Sequence, residues 1–120
     1  MEHAARRILV VDDNTDICNL LRMLLVRSGH CVWASEDPYI GFSTAVKHLP
    51  DVAILDIAMP GMDGFHLCRL LRTLDPAPRV LLMTGAPIDD SCRRLAKIHG
   101  AAAIFQKPLP IDELMAEILK

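Results

Sequence analysis

The chain reads as a doubly wound α/β fold, with a five-stranded parallel sheet in the order 2-1-3-4-5 and helices on both faces. Three observations predict it. Short, continuous apolar runs recur five times in 120 residues, as expected of strands covered on both sides. A segment of helical periodicity follows each run, which forces parallel strands joined by crossovers. Four runs also end in polar groups: Ile8–Val11 in Asp12-Asp13, residues 52–55 in Asp56, residues 79–83 in Thr84 and residues 102–106 in Lys107.

Residues 7–12 form the first strand. The helix over 14–28 sets Ile17, Leu20, Leu21, Leu24 and Leu25 at i, i+3, i+4 spacing, and Gly29 closes it. Asp12 or Asp13 is a candidate N-cap for that helix. Cys31–Ser35 is the second strand. Asp37-Pro38 pairs an N-cap with proline at the first helical position, opening a helix to about His48 that Pro50 stops. Residues 52–56 are the third strand; a turn with Asp63 leads into a helix over 64–74 carrying Phe65, Cys68 and Leu71 inward. Pro76 and Pro78 punctuate before the strand at 79–84. The next helix, over 88–98, opens on Asp89 and Asp90, where the macrodipole favours acids. After Gly100 come a strand at 102–106 and a helix from 111 to the end, with Ile111, Leu114, Met115, Ile118 and Leu119 as its apolar face. His30, His48, His66 and His99 fall at surface or helix-end positions, and Trp33 packs on the sheet.

The length fits one domain over residues 1–120, and the 52% hydrophobic content suffices for a core without staples. A formal net charge of −2 offers no clustered positive excess for nucleic acid or a membrane surface. No apolar run approaches the roughly 18 residues of a membrane span. The opening Met1–Arg7 lacks the pattern of a signal peptide. Cys18, Cys31, Cys68 and Cys92 share no metal-like or redox spacing, so reduced thiols in a cytoplasmic protein are expected.

In an open parallel sheet, ligands bind beyond the carboxyl ends of the strands. Strands 1 and 3 lie side by side in this order, which brings Asp12, Asp13 and Asp56 together. Clustered carboxylates repel unless protonated or neutralised by a cation. Oxygen donors of this kind suit Mg²⁺. Asp13 and Asp56 are expected as direct ligands, Asp12 as a ligand through water, and the Ala58 carbonyl as the backbone contribution. Asp56 is also the candidate nucleophile, because an ionised carboxylate can accept a phosphoryl group without a general base. Lys107 would supply a point charge, and the Thr84 hydroxyl a hydrogen bond. A cis Lys107-Pro108 bond would aim the lysine into the cleft.

These pieces together carry a resemblance. Ile8-Leu9-Val10-Val11-Asp12-Asp13, Asp56 with Met59-Pro60-Gly61-Met62-Asp63-Gly64, Thr84-Gly85, and Gly100-Ala101 leading to Lys107-Pro108 occur in order. The chain resembles, over essentially its whole length, the flavodoxin-like receiver domain of two-component response regulators. The resemblance implies that Asp56 takes phosphate from a phosphohistidine on a sensor histidine kinase or histidine phosphotransfer protein, with Mg²⁺ required and slow self-catalysed hydrolysis. A partner would read the last two helices and last strand, and a homodimer would form through the same face.

The chain departs from that pattern in two places. Receivers carry an aromatic three residues before the lysine; here Ile104 stands there and Phe105 follows, facing the opposite side of the strand. The stiff isoleucine side chain leaves the usual coupling of Thr84 to the output face in question. Ala58 and Ala86 flank the expected phosphate, which leaves it open to water. Three other functions compete. A receiver-like binding module that is never phosphorylated is disfavoured by the intact acids, Thr84 and Lys107. An Mg²⁺-dependent aspartyl phosphatase would need Asp-x-Asp where Asp12-Asp13-Asn14 stands. A flavin site would need a Ser/Thr/Gly-rich loop after strand 1. The cognate kinase, the signal and the output, by a partner or by a further domain, are left open.

Overall fold

Five parallel strands pair in the order β2-β1-β3-β4-β5, as expected. They are β1 (Arg7–Val11), β2 (Cys31–Ser35), β3 (Val52–Asp56), β4 (Arg79–Thr84) and β5 (Ala103–Gln106). The helices between and after them are α1 (Thr15–Arg27), α2 (Pro38–His48), α3 (Gly64–Leu71), α4 (Asp90–Ile98) and α5 (Ile111–Ile118). This computed structural model describes residues 4–120; Met1–His3, where the signal-peptide reading begins, lie outside the described residues.

The sheet separates two apolar layers. Leu9, Val11, Ala53, Leu55, Val80 and Leu82 pack against Leu67, Cys68 and Leu71 of α3, Ala45 of α2 and Ala96 of α4. Ile8, Val10, Ile54, Leu81 and Met83 face the other way, onto Cys18, Leu21 and Leu25 of α1 and Leu114 and Ile118 of α5. Burial of β1 from Ile8 and of all β3 explains their unbroken apolar runs. Each such aliphatic side chain contributes about 1.5–3 kcal/mol through its removal from water.

Several details differ from the sequence reading. Asn14, not either aspartate, caps α1; its side chain accepts from the amides of Asp16 and Ile17. Leu20 is exposed and Cys18 takes the inward place, because periodicity leaves the rotation of the apolar face against the sheet open. Helix α3 ends at Leu71, and residues 72–74 are turns, since the chain must leave α-geometry before Pro76. Leu67 lies inward on α3, while Phe65 is half-buried and leans on His99. Asp89 lies just outside α4 and caps it, accepting from the Cys92 amide. His30 is buried instead of exposed, and its Nδ1 accepts the Arg6 amide at 2.9 Å. Trp33 does pack on the sheet, stacked on His48 at 4.6 Å. The cysteines are all free thiols, Cys18 and Cys68 buried and Cys31 exposed. No helix among the described residues is long and apolar enough to cross a membrane.

Candidate functional site

Register brings the polar strand ends to one edge. Val11 pairs with Leu55, so Asp12 arrives beside Asp56; Asp56 pairs with Met83, and Thr84 with Gln106, which Lys107 follows. One carboxylate oxygen from each of Asp12, Asp13 and Asp56 falls within 4.8 Å of the others. Asp12 and Asp56 are buried, at 0% and 4% exposure, while Asp13 faces solvent.

Lys107 answers part of this charge. Its Nζ lies 2.8 Å from Asp12 Oδ2 and 3.5 Å from Asp56 Oδ1. The Lys107 amide donates to the Thr84 carbonyl at 2.8 Å, which ties the lysine to the end of β4. The Lys107-Pro108 bond is cis, as is Asp75-Pro76. Asp12 Oδ1 accepts the Asn14 amide at 2.9 Å, so both of its oxygens are occupied. The Cys18 thiol donates to the Asp12 carbonyl from beneath at 3.1 Å.

Three acids around one ammonium remain under-compensated. Burial, then the Asp12 charge, raises the Asp56 carboxyl to about 6 against the pull of Lys107. Burial alone would lower the Lys107 ammonium, but its hydrogen bond to Asp12 and the two acid charges outweigh burial and hold it above its ordinary value. The donor set fits a small hard cation: oxygen ligands only, an excess of negative charge, and one open side at Asp13.

The Thr84 hydroxyl is buried beside this cluster and accepts the Ala86 amide at 3.0 Å. Ala58, Gly85 and Ala86 are exposed around the mouth. Asp63 stays apart, its carboxylate accepting the His66 amide at the start of α3. Ile104 and Phe105, both half-buried, point to opposite layers: Ile104 toward the α2–α3–α4 side and Phe105 toward the α1–α5 side.

Gly64 was missed in the sequence. A Cβ there would lie 2.3 Å from the Asp56 carbonyl oxygen, so α3 can seat against the third strand only through a glycine. Replacing Gly64 with alanine should cost about 1–3 kcal/mol in urea denaturation, because backbone, not a pliable side chain, must yield. An unchanged midpoint would show that the loop has slack. Asn14 and Cys18 were also missed as supports of Asp12; an Asn just before a helical run was the available signal for the first.

The family model described as the response regulator receiver domain matches residues 8–119. The virulence transcriptional regulatory protein PhoP of Salmonella typhi is 37% identical over 113 residues, which cover 93% of this chain and 50% of that protein. Response regulator MprA of Mycobacterium sp. (strain KMS) is 33% identical over 113 residues, covering 93% and 48%. The chain thus spans about half the length of these curated relatives. Vibrio cholerae chemotaxis protein CheY4 superposes with a TM-score of 0.88 at 26% identity, covering 96% of this chain and 97% of that one. The receiver domain of the NarL response regulator from Mycobacterium tuberculosis gives 0.84 at 30%, covering 96% and 94%.

Proposed function

The chain belongs to the response regulator receiver family, a family of phosphoacceptor signalling domains, and from that premise we propose that Asp56 is its phosphoacceptor and residues 1–120 one receiver domain. A single observation carries the assignment. Of the three clustered acids, Asp56 is the one that is buried, contacts Lys107 and, among the described residues, accepts no backbone amide in the strand-end loop. Asp12 is held by Asn14 and Lys107, and Asp13 is exposed.

The Asp56 carboxylate attacks phosphorus, forming an acyl phosphate as the donor's P–N bond to histidine breaks; the bonding pair returns to the ring nitrogen, which takes its proton from solvent. Lys107 faces the oxygens on which charge accumulates, and the Thr84 hydroxyl, which accepts the Ala86 amide and keeps its own hydrogen, can donate to one of them. Asp13 and Asp56 directly, Asp12 through water and the Ala58 carbonyl are the groups that would hold Mg²⁺. When bound, that ion neutralises charge on the acids and on the transferring phosphoryl group. The donor would be a sensor histidine kinase or histidine phosphotransfer protein, in the cytoplasm. The domain is then a switch that catalyses only its own phosphorylation and slow dephosphorylation, reported through α4, β5 and α5, by partner binding or by pairing of two domains. Transfer of label from a phosphorylated histidine kinase to this chain, absent in Asp56→Asn, tests the assignment; equal labelling of the variant overturns it.

The open rim around Ala58, Gly85 and Ala86 leaves hydrolysis governed by bare solvent access. Replacing Ala58 or Ala86 with a larger polar residue should change the lifetime of the phosphorylated species severalfold, measured by its decay after donor removal. An unaltered lifetime would refute this.

A further inference from the structure

The cations of the chain are not evenly spread. Arg69 and Arg72 on and just after α3, and Arg93, Arg94 and Lys97 on α4, have no ion pair with a carboxylate among the described residues. The acids that cluster lie at the far end of the strands, around Asp56. Between the ends of α3 and α4 lies a hollow of about 510 Å³ with His66, Arg69, Leu70 and His99 in its wall. A second, of about 340 Å³, continues past Arg69 and His99 to Arg72, Ile98 and Gly100.

Two features give this groove a definite chemistry. The Arg72 side chain lies across Gly100, where a Cβ would approach Nε at 3.2 Å, at the negative end of α4. Ile98 is 75% exposed, the most exposed of the large apolar side chains, and stands beside that guanidinium. The one acid among the described residues of the wall, Asp63, accepts the His66 amide with Oδ1 at the start of α3.

We propose that this α3–α4 groove docks an acidic amphipathic segment of a partner protein, with carboxylates against Arg69 and Arg72 and an apolar side chain over Ile98. Charge complementarity selects an anionic partner. The exposed isoleucine favours a peptide over a nucleic acid, whose phosphates would leave it uncovered. The surface is distinct from the Asp56 cleft and does not rest on phosphorylation.

The test is a titration of the domain, followed by amide chemical shifts, with a synthetic peptide of leucine and glutamate at helical spacing. A peptide with serine for leucine and a short DNA duplex serve as comparisons. The leucine–glutamate peptide should shift Leu70, Thr73, Ile98 and His99 and bind about tenfold more weakly to an Arg69→Glu, Arg72→Glu variant, as loss and reversal of two rim contacts implies. Acetyl phosphate labelling of that variant should stay normal, which separates this failure from failure at Asp56. Absence of binding, shifts elsewhere, indifference to the double substitution, or equal or tighter binding of the serine peptide or DNA would overturn the proposal.

Discussion

Asp56→Asn should abolish phosphoryl acceptance and yet make the metal-free domain more stable. The first effect follows from chemistry: a carboxamide has no anionic oxygen to attack phosphorus. The second follows from electrostatics. In the folded chain the Asp56 carboxyl sits at about 6, against 3.8 for an unperturbed group, chiefly through burial and then through Asp12. The folded state therefore holds this proton more tightly than the unfolded one. Its stabilising contribution is complete below the unfolded value and disappears as pH rises through about 6. At neutral pH the ionised group costs on the order of 2 kcal/mol. Asparagine removes that cost, so thermal melts at pH 7 in chelator should rise by roughly 5 °C. The gap between variant and native chain should close as pH falls from 7 toward 4. Added Mg²⁺ should narrow it too, since the cation stabilises the native acids more than the amide. A variant less stable than the native chain at pH 7 would show that Lys107 already compensates Asp56 fully.

Lys107→Ala should have the opposite sign and the larger cost. Asp12 is fully buried and loses its 2.8 Å partner, and Asp56 loses the ammonium 3.5 Å from its Oδ1. Removing one member of a buried pair typically costs about 3–5 kcal/mol, because the remaining charge stays desolvated. The cleft is open at Asp13, so water moderates this, and a loss of about 2–4 kcal/mol in urea denaturation is expected. Mg²⁺ should restore part of it and bind more tightly than to the native chain, because the cluster is more negative. Phosphorylation by a small donor should slow at least tenfold at saturating Mg²⁺, as one charge on the transferring oxygens is missing. Denaturation unchanged in chelator would mean that the ammonium is a solvated surface group, contrary to the geometry.

The sheet was legible because its signals are local: apolar runs, their polar ends and the prolines between them. Strand order brought Asp12, Asp13, Asp56, Thr84 and Lys107 to one edge, and the register places them there. What escaped was whatever depends on a close approach. Gly64 reads as an ordinary turn residue until α3 is seated on the Asp56 carbonyl. His30 follows a helix-ending glycine, a surface signal, but its ring turns inward to take the Arg6 amide from a chain segment 24 residues away. Leu20 and Cys18 exchanged places because periodicity fixes the spacing of an apolar face and not its rotation against the sheet. Asp12 was legible as a site residue but not as one whose oxygens are already taken by Asn14 and Lys107.

The central claim is that clustered acids with a bound cation prepare one aspartate for phosphorus. Intact-mass and peptide analysis after acetyl phosphate treatment, with Mg²⁺ and with chelator, addresses it most directly. The account predicts one added phosphoryl group, on the peptide bearing Asp56, that appears with Mg²⁺ and not with chelator. Phosphate on another residue, labelling at the same rate in chelator, or no labelling under either condition would contradict it.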